Sequence, residues 1–161
     1  MNKVVEARIE IPMGSQNKYE IDTKTNKIKL DRVLYSASFY PAEYGYVENT
    51  LGEDGDALDI LVFTSYPTFP GCYVEAKIIG AMDMIDTGKG DYKLVAVNDR
   101  DPRYNEVNCL EDLPPHYLKQ IDNFFSTYKN LQDVKTSVEG WMNLEEAYKL
   151  LDESIVRFNN K

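Results

Sequence analysis

From Val4 to Ile11 the apolar residues Val5, Ala7, Ile9 and Ile11 alternate with Glu6, Arg8 and Glu10, the two-residue period of a half-buried strand. Glu10 therefore falls on the polar face. Residues 18–22 and 27–32 repeat the alternation on either side of the polar break 23–26, which predicts a hairpin with Lys18, Glu20 and Asp22 on one face. Further strands are predicted at residues 58–63, 73–85 and 91–97, punctuated by Pro67, Pro70-Gly71 and a turn at Thr87-Gly88-Lys89-Gly90. The aromatic run from Phe39 to Tyr46 reads as core or loop packing.

After Pro114 and Pro115 the period lengthens. Leu118, Ile121, Phe125 and Tyr128 recur at three and four, predicting a helix that begins at the prolines and ends near Leu131. Residues 136–141 read as one more strand. Asn143 with Glu146 three positions on forms a capping box ahead of Leu144, Tyr148, Leu151, Ile155 and Phe158, so a second amphipathic helix follows, with a solvated acidic outer face. No repeat or linker breaks this order. The expectation is a single domain over 1–161, mainly β (α+β), built as a small closed or nearly closed barrel with two helices packed on it.

Composition narrows the chemistry. With 18 basic against 27 acidic residues the net charge is -9, which disfavours nucleic acid and anionic membranes as partners. Cys72 and Cys109 have no metal-binding spacing and make no disulfide framework, and His116 stands alone near a helix start. No apolar run near Met1 is long enough for a signal peptide or a membrane span, so a cytoplasmic location is expected.

The segment Glu53-Asp54-Gly55-Asp56-Ala57-Leu58-Asp59 crowds carboxylates just ahead of an apolar run. Two readings stand. Gly55 turns the backbone so that Asp54, Asp56 and Asp59 offer hard oxygens to magnesium, or Asp-Gly is a hairpin turn with solvated acids. Asp86 and Asp91 bracket a second turn and Lys93 follows on the same face as Asp91; this second acidic strand end reads either as part of a shared multi-metal site or as an exposed turn whose acids are solvated. Lys18, Arg32, Lys93 and Lys129 are candidates for an anionic ligand, each with solvated surface charge as the alternative.

Taken together, Glu10-Ile11-Pro12, Lys18-Tyr19-Glu20, Asp31-Arg32, Phe39-Tyr40-Pro41, Tyr44-Gly45-Tyr46, Asp54 to Asp59, Asp86 to Lys93, Tyr128-Lys129 and Val138-Glu139-Gly140-Trp141 resemble the family I soluble inorganic pyrophosphatases of the short, prokaryotic type. The resemblance spans nearly the whole chain. It implies a distorted five-stranded OB-like barrel with two helices in the C-terminal half, and hydrolysis of pyrophosphate to two orthophosphates by direct attack of a water bridging two metal ions, driving biosynthetic reactions that release pyrophosphate. By the same resemblance Asp54, Asp59 and Asp91 hold a first Mg2+, Asp59 touches a second, and Asp86 with Asp91 holds a third. Mn2+ is the expected substitute. Glu20 and Glu10 belong to the same acidic pocket, Asp56 is the general base, and Lys18, Arg32, Tyr44, Lys93, Tyr128 and Lys129 bind phosphate oxygens. A homohexamer is implied as well. The competing readings are an OB-like nucleic-acid-binding module, suggested by a barrel with 12 tyrosines, and a metal-dependent hydrolase of nucleotides or phosphomonoesters.

Overall fold

The computed structural model describes residues 1–161. Strand β1 (Val4–Ile11) buries Ala7, Ile9 and Ile11 and exposes Glu6, as its alternation requires. The predicted hairpin forms from β2 (Asn17–Ile21) and β3 (Ile28–Val33). A bulge between Lys18 and Tyr19 shifts its register, and Asp22 lies past the strand, where its carboxylate accepts the Lys24 and Thr25 N–H groups. Asp22 therefore leaves the face expected to carry Lys18 and Glu20.

The run read as core or loop packing places Tyr40, Ala42 and Tyr46 in the core and also contains an unexpected strand, β4 (Glu43–Val47). Gly45 is required there, because a Cβ would meet the Arg8 carbonyl oxygen at 2.0 Å as β4 closes on β1. Glu43 is fully buried and accepts the Met13 N–H together with the Thr68 N–H and hydroxyl, which fastens two connecting loops to the start of β4. A buried carboxylate needs such partners.

The remaining strands are β5 (Asp59–Phe63), β6 (Tyr73–Asp86), β7 (Lys89–Gly90), β8 (Lys93–Asn98) and β9 (Thr136–Met142). Strands β1, β4, β5, β8 and β6 pair in that order and β6 returns to β1, closing a five-stranded barrel in which β5 and β8 are the parallel pair. The 14 residues of β6 make closure possible: its start pairs with β1, its middle with β8 and its end with β9 and β7. Thr87 and Gly88 both have positive φ, 54° and 78°, as a two-residue hairpin turn demands.

Strands β5 and β8 read as continuous apolar runs because both their faces are covered. Ile60, Val62, Leu94 and Ala96 pack with Ala7, Ile9 and Ile78, whereas Leu61, Phe63, Val95 and Val97 pack with Ile121, Phe124 and Phe125. The polar residues that open these two strands, Asp59 and Lys93, thus stand at the edge of an apolar sheet.

Helix α1 (Pro115–Thr127) ends earlier than its periodicity suggests. Leu131 is 65% exposed and belongs to no apolar stripe, and Lys129 leaves helical geometry to reach Asp86 at 2.6 Å. Helix α2 (Leu144–Asn159) starts at the predicted capping box, with both reciprocal Asn143–Glu146 bonds formed. Its buried stripe is Ala147, Leu151 and Ser154, leaving Ile155 at the surface. No helix is long and apolar enough to cross a membrane.

Candidate active site

The parallel register of β5 and β8 makes Asp59 and Lys93 backbone partners, and their side chains leave the sheet together. The Lys93 ammonium donates to Asp59 Oδ2 at 2.9 Å, Asp91 Oδ2 at 3.1 Å and Tyr44 Oη at 2.7 Å. It also lies over the Tyr44 and Phe125 rings, 4.9 and 5.3 Å from their centroids. Tyr44 Oη donates in turn to Asp59 Oδ2 at 2.9 Å. Burial alone favours the neutral amine, but Asp59, Tyr44 and Asp91 outweigh it and hold the Lys93 pKa well above the lysine range. Burial pushes the Tyr44 hydroxyl far up as well, so it remains a neutral donor.

Six predicted residues line one cavity of about 540 Å3: Glu10, Lys18, Glu20, Tyr44, Asp56 and Asp59. The Glu10 carboxyl accepts the Ile21 N–H at 2.9 Å, and burial raises its pKa to about 7, with Asp59 and Glu20 adding to the rise. Asp56 is raised first by burial and then by the charges of Asp54, Glu20 and Asp91. On the other side of Asp59 a second cavity of about 250 Å3 is bordered by Asp54, Asp59 and Asp91 and by the side chains of α2. The three proposed ligands of one ion thus share a wall.

Their carboxylates do not yet converge. No three acidic, histidine or cysteine side chains approach closely enough to hold an ion between them. Lysines supply the counter-charge instead: Lys93 holds Asp59 and Asp91, and Lys129 binds Asp86 Oδ2 at 2.6 Å. Burial works to raise Asp86, yet the bonds from Lys129 and Thr87 prevail and keep it below the usual carboxylate range. Asp54 accepts the Asp56 N–H at 3.0 Å within its own loop. Asp91 is raised by burial, with Lys93 opposing.

Arg32 and Lys18 meet across the hairpin on Asp31, whose Oδ2 accepts from Lys18 Nζ at 3.0 Å and Arg32 Nη1 at 2.7 Å. The Arg32 Nε–H is buried without a partner, an expensive state that an anion oxygen would relieve. Tyr128 packs against Phe124 and Phe125 at 5.1 and 5.4 Å, and burial lifts its hydroxyl to about 12. His116 is exposed, and Cys72 and Cys109 are half-buried free thiols.

Three contributors escaped the sequence reading as site residues. Asp31 orders two cations; in the sequence it stood only as the neighbour of Arg32 in the family-like motif, and its part follows from the hairpin register that sets Lys18 opposite Arg32. Phe125 backs Lys93 from α1, where its apolar period marked it for the core alone. Tyr40, 1% exposed, packs on the Tyr44 ring at 5.5 Å and on Phe124 at 4.7 Å.

Comparison with known proteins identifies the family. The family model described as inorganic pyrophosphatase matches residues 7–159. The inorganic pyrophosphatase of Geobacillus stearothermophilus is 56% identical over 160 residues, covering 99% of this chain and 97% of the relative. That of Nostoc sp. is 49% identical over 94% of this chain and 90% of its own. The crystal structure of inorganic pyrophosphatase from Thermus thermophilus superposes with a TM-score of 0.94 at 41% identity, covering 97% and 91% of the two chains. The Helicobacter pylori inorganic pyrophosphatase gives a TM-score of 0.95 at 39% identity over 98% and 94%. With the barrel closed by the same strands that bring Asp59 to Lys93, and with relatives alike along almost their full length, the chain belongs to the inorganic pyrophosphatase family.

Proposed function

We propose that this chain hydrolyses inorganic pyrophosphate to two orthophosphates, with Mg2+, or Mn2+ in its place, held by Asp54, Asp59, Asp86, Asp91, Glu20 and Glu10. The observation that carries the reading is the meeting at Asp59 of a carboxylate-lined cavity with the buried Lys93–Tyr44 pair. The donor set fits the ion: it is made of carboxylate oxygens, the hard ligands magnesium takes, and the repulsion from Asp54, Glu20 and Asp91 that adds to burial in raising Asp56 is what a cation relieves. When bound, such ions neutralise phosphate charge and acidify a coordinated water.

The protein's own groups divide the rest of the work. Lys18, Arg32, Lys93 and Lys129 offer charged donors to the phosphoryl oxygens, and Tyr44 and Tyr128, kept neutral by burial, offer uncharged ones. The open Arg32 Nε–H is one donor already desolvated for an anion. Asp56 accepts a proton from the attacking water, and its raised pKa makes it a stronger base than a solvated aspartate. As water attacks one phosphorus, the bridging oxygen leaves with the second phosphate, and the cationic rim stabilises the charge that develops on it. No covalent enzyme intermediate is formed.

The reaction takes place in the cytoplasm, where free thiols such as Cys72 and Cys109 stay reduced, and the assembly is a homohexamer. The hexamer rests on family resemblance, with Ile28, Leu30 and Val33 of β3 standing 45%, 54% and 53% exposed as apolar surface available for a second copy. Sedimentation measures it. The activity is tested by phosphate release from pyrophosphate with Mg2+ and again after chelation, alongside ATP and a phosphomonoester. Release from pyrophosphate that stops on chelation is expected. Equal or greater release from ATP or the monoester overturns the assignment of substrate.

A further inference from the structure

The loop from 48 to 58 carries Asp54 and Asp56 and is fastened to the barrel at its feet. There the Val47 N–H donates to the Leu58 carbonyl at 3.0 Å, while Thr50 Oγ1 accepts the Leu58 N–H at 2.9 Å and donates to the Val47 carbonyl at 2.6 Å. Its tip, residues 53–56, is exposed, and its hydrogen bonds stay within the loop: Gly52 N–H to Asp56 O, Gly55 N–H to Gly52 O, and Asp56 N–H to Asp54 Oδ1. Between feet and tip stands Leu51, and both of its peptide groups are bound to α2. Its N–H donates to the Ser154 carbonyl at 3.0 Å, and its carbonyl accepts from Arg157 Nη1 at 2.7 Å. The same guanidinium reaches Glu53 Oε1 at 4.0 Å and borders the 250 Å3 cavity shared by Asp54, Asp59 and Asp91. The last turns of α2 are thus not merely a solvated outer face.

We propose that Arg157 is a positioning residue that sets the pose of the acidic loop, and through it the affinity of the site for divalent cations. The inference rests on the metal-dependent reading above. A flexible tip bearing a ligand loses ordering entropy each time an ion binds, and a tether that orders the tip beforehand lowers that cost. Outer groups that orient ligands change metal affinity without touching the metal. Arg157 meets this description from 106 residues away in the chain, through one charge-assisted bond to a backbone carbonyl whose residue lies three positions before Asp54.

The test compares the wild type with Arg157→Met, which keeps the apolar stem and removes every donor, and Arg157→Lys, which keeps one donor. Calorimetric titration of the metal-free protein with Mn2+ should show affinity weakened roughly three- to tenfold in Arg157→Met and largely recovered in Arg157→Lys. Amide exchange without metal should quicken in the peptide spanning 49–58 and stay unchanged in β5 and β8. At saturating Mg2+ the KM for pyrophosphate should match the wild type. An unchanged Mn2+ isotherm in Arg157→Met overturns the role of Arg157, and so does faster exchange spread evenly through the barrel. Should Arg157→Met fail to fold, Arg157→Gln, which loses the charge and is too short to span the same distance, carries the comparison, and a Mn2+ isotherm and loop exchange identical to wild type in that variant count against the proposal. A wild-type chain that takes up no Mn2+ sinks the metal reading itself, a different outcome from a wild type that binds normally beside an unaffected variant.

Discussion

Lys93 Nζ, 1% exposed, stands 2.9 Å from Asp59 Oδ2, so one buried ammonium balances the carboxylate that borders both cavities. Removing one partner of a buried ion pair leaves the other uncompensated, at a cost of about 3–5 kcal/mol. Lys93→Met should therefore lower the thermal midpoint of the metal-free protein strongly, since Asp59 and Asp91 both lose their cation. Mg2+ should then restore more of the midpoint in the variant than it adds to the wild type. Equal increments in the two proteins would show that the ion and the ammonium do not answer the same charges.

Divalent ions should also stabilise the unaltered chain. An ion present at 100 times its dissociation constant adds about 2.7 kcal/mol. For a chain of this size that corresponds to a rise in Tm of about 5–10 °C. Calorimetry with and without Mg2+ measures it, and coincident melts would mean that the crowded carboxylates bind no ion.

Asp56→Asn removes a proton acceptor while nearly preserving shape. Turnover of pyrophosphate should fall by roughly 10²- to 10⁴-fold, the usual contribution of a general base. Stability should hold or rise slightly, because the charge removed is one that burial and Asp54 oppose. Steady-state assays and a circular dichroism melt check both halves. Wild-type turnover in this variant would take the base assignment away from Asp56.

Asp31 keeps Lys18 and Arg32 together, and Lys18 in particular holds its carboxyl below the usual range. In Asp31→Asn the two cations lose the charge that gathers them. KM for pyrophosphate should rise roughly three- to tenfold with a smaller change in kcat, the pattern of lost uniform binding. The three side chains are 24–31% exposed, so stability should shift by no more than about 1 kcal/mol. A kcat that collapses at constant KM would assign Asp31 a different part.

The sequence made most of this architecture readable because its signals are local. The β1 alternation, the turn at Thr87-Gly88 and the Asn143–Glu146 box each depend on residues a few positions apart, and each forms as expected. Strand β4 was harder, since Gly45, Tyr44 and buried Glu43 carry no two-residue period, and only the close approach to Arg8 explains the glycine. Asp59 and Lys93 were visible as charged residues opening apolar runs, but their contact depends on a parallel register that no short stretch specifies. Arg157 and Leu51 lie further still beyond local pattern. In the helical period Arg157 reads as surface charge, and its bond to Leu51 exists only because α2 docks beside the acidic loop.

Acid should act on the fold through a carboxylate outside the site. Asp101 is 6% exposed, and Ser65, by its side chain and then its backbone N–H, together with Arg103, draws its pKa down to about 2. A carboxyl lower in the folded chain than in the unfolded one, where about 3.9 is usual, binds fewer protons folded. Its contribution is therefore complete above about pH 4 and is lost as the pH falls through about 2. Asp101→Asn should leave an acid limb that is shallower between those values, because the variant no longer takes up a proton on unfolding there. Urea midpoints measured from pH 5 down to pH 2 for both proteins supply the slopes. Parallel limbs would mean that the protons driving acid unfolding go to other carboxylates, with Asp31 and Asp86, both also held low by neighbouring lysines, the next to test.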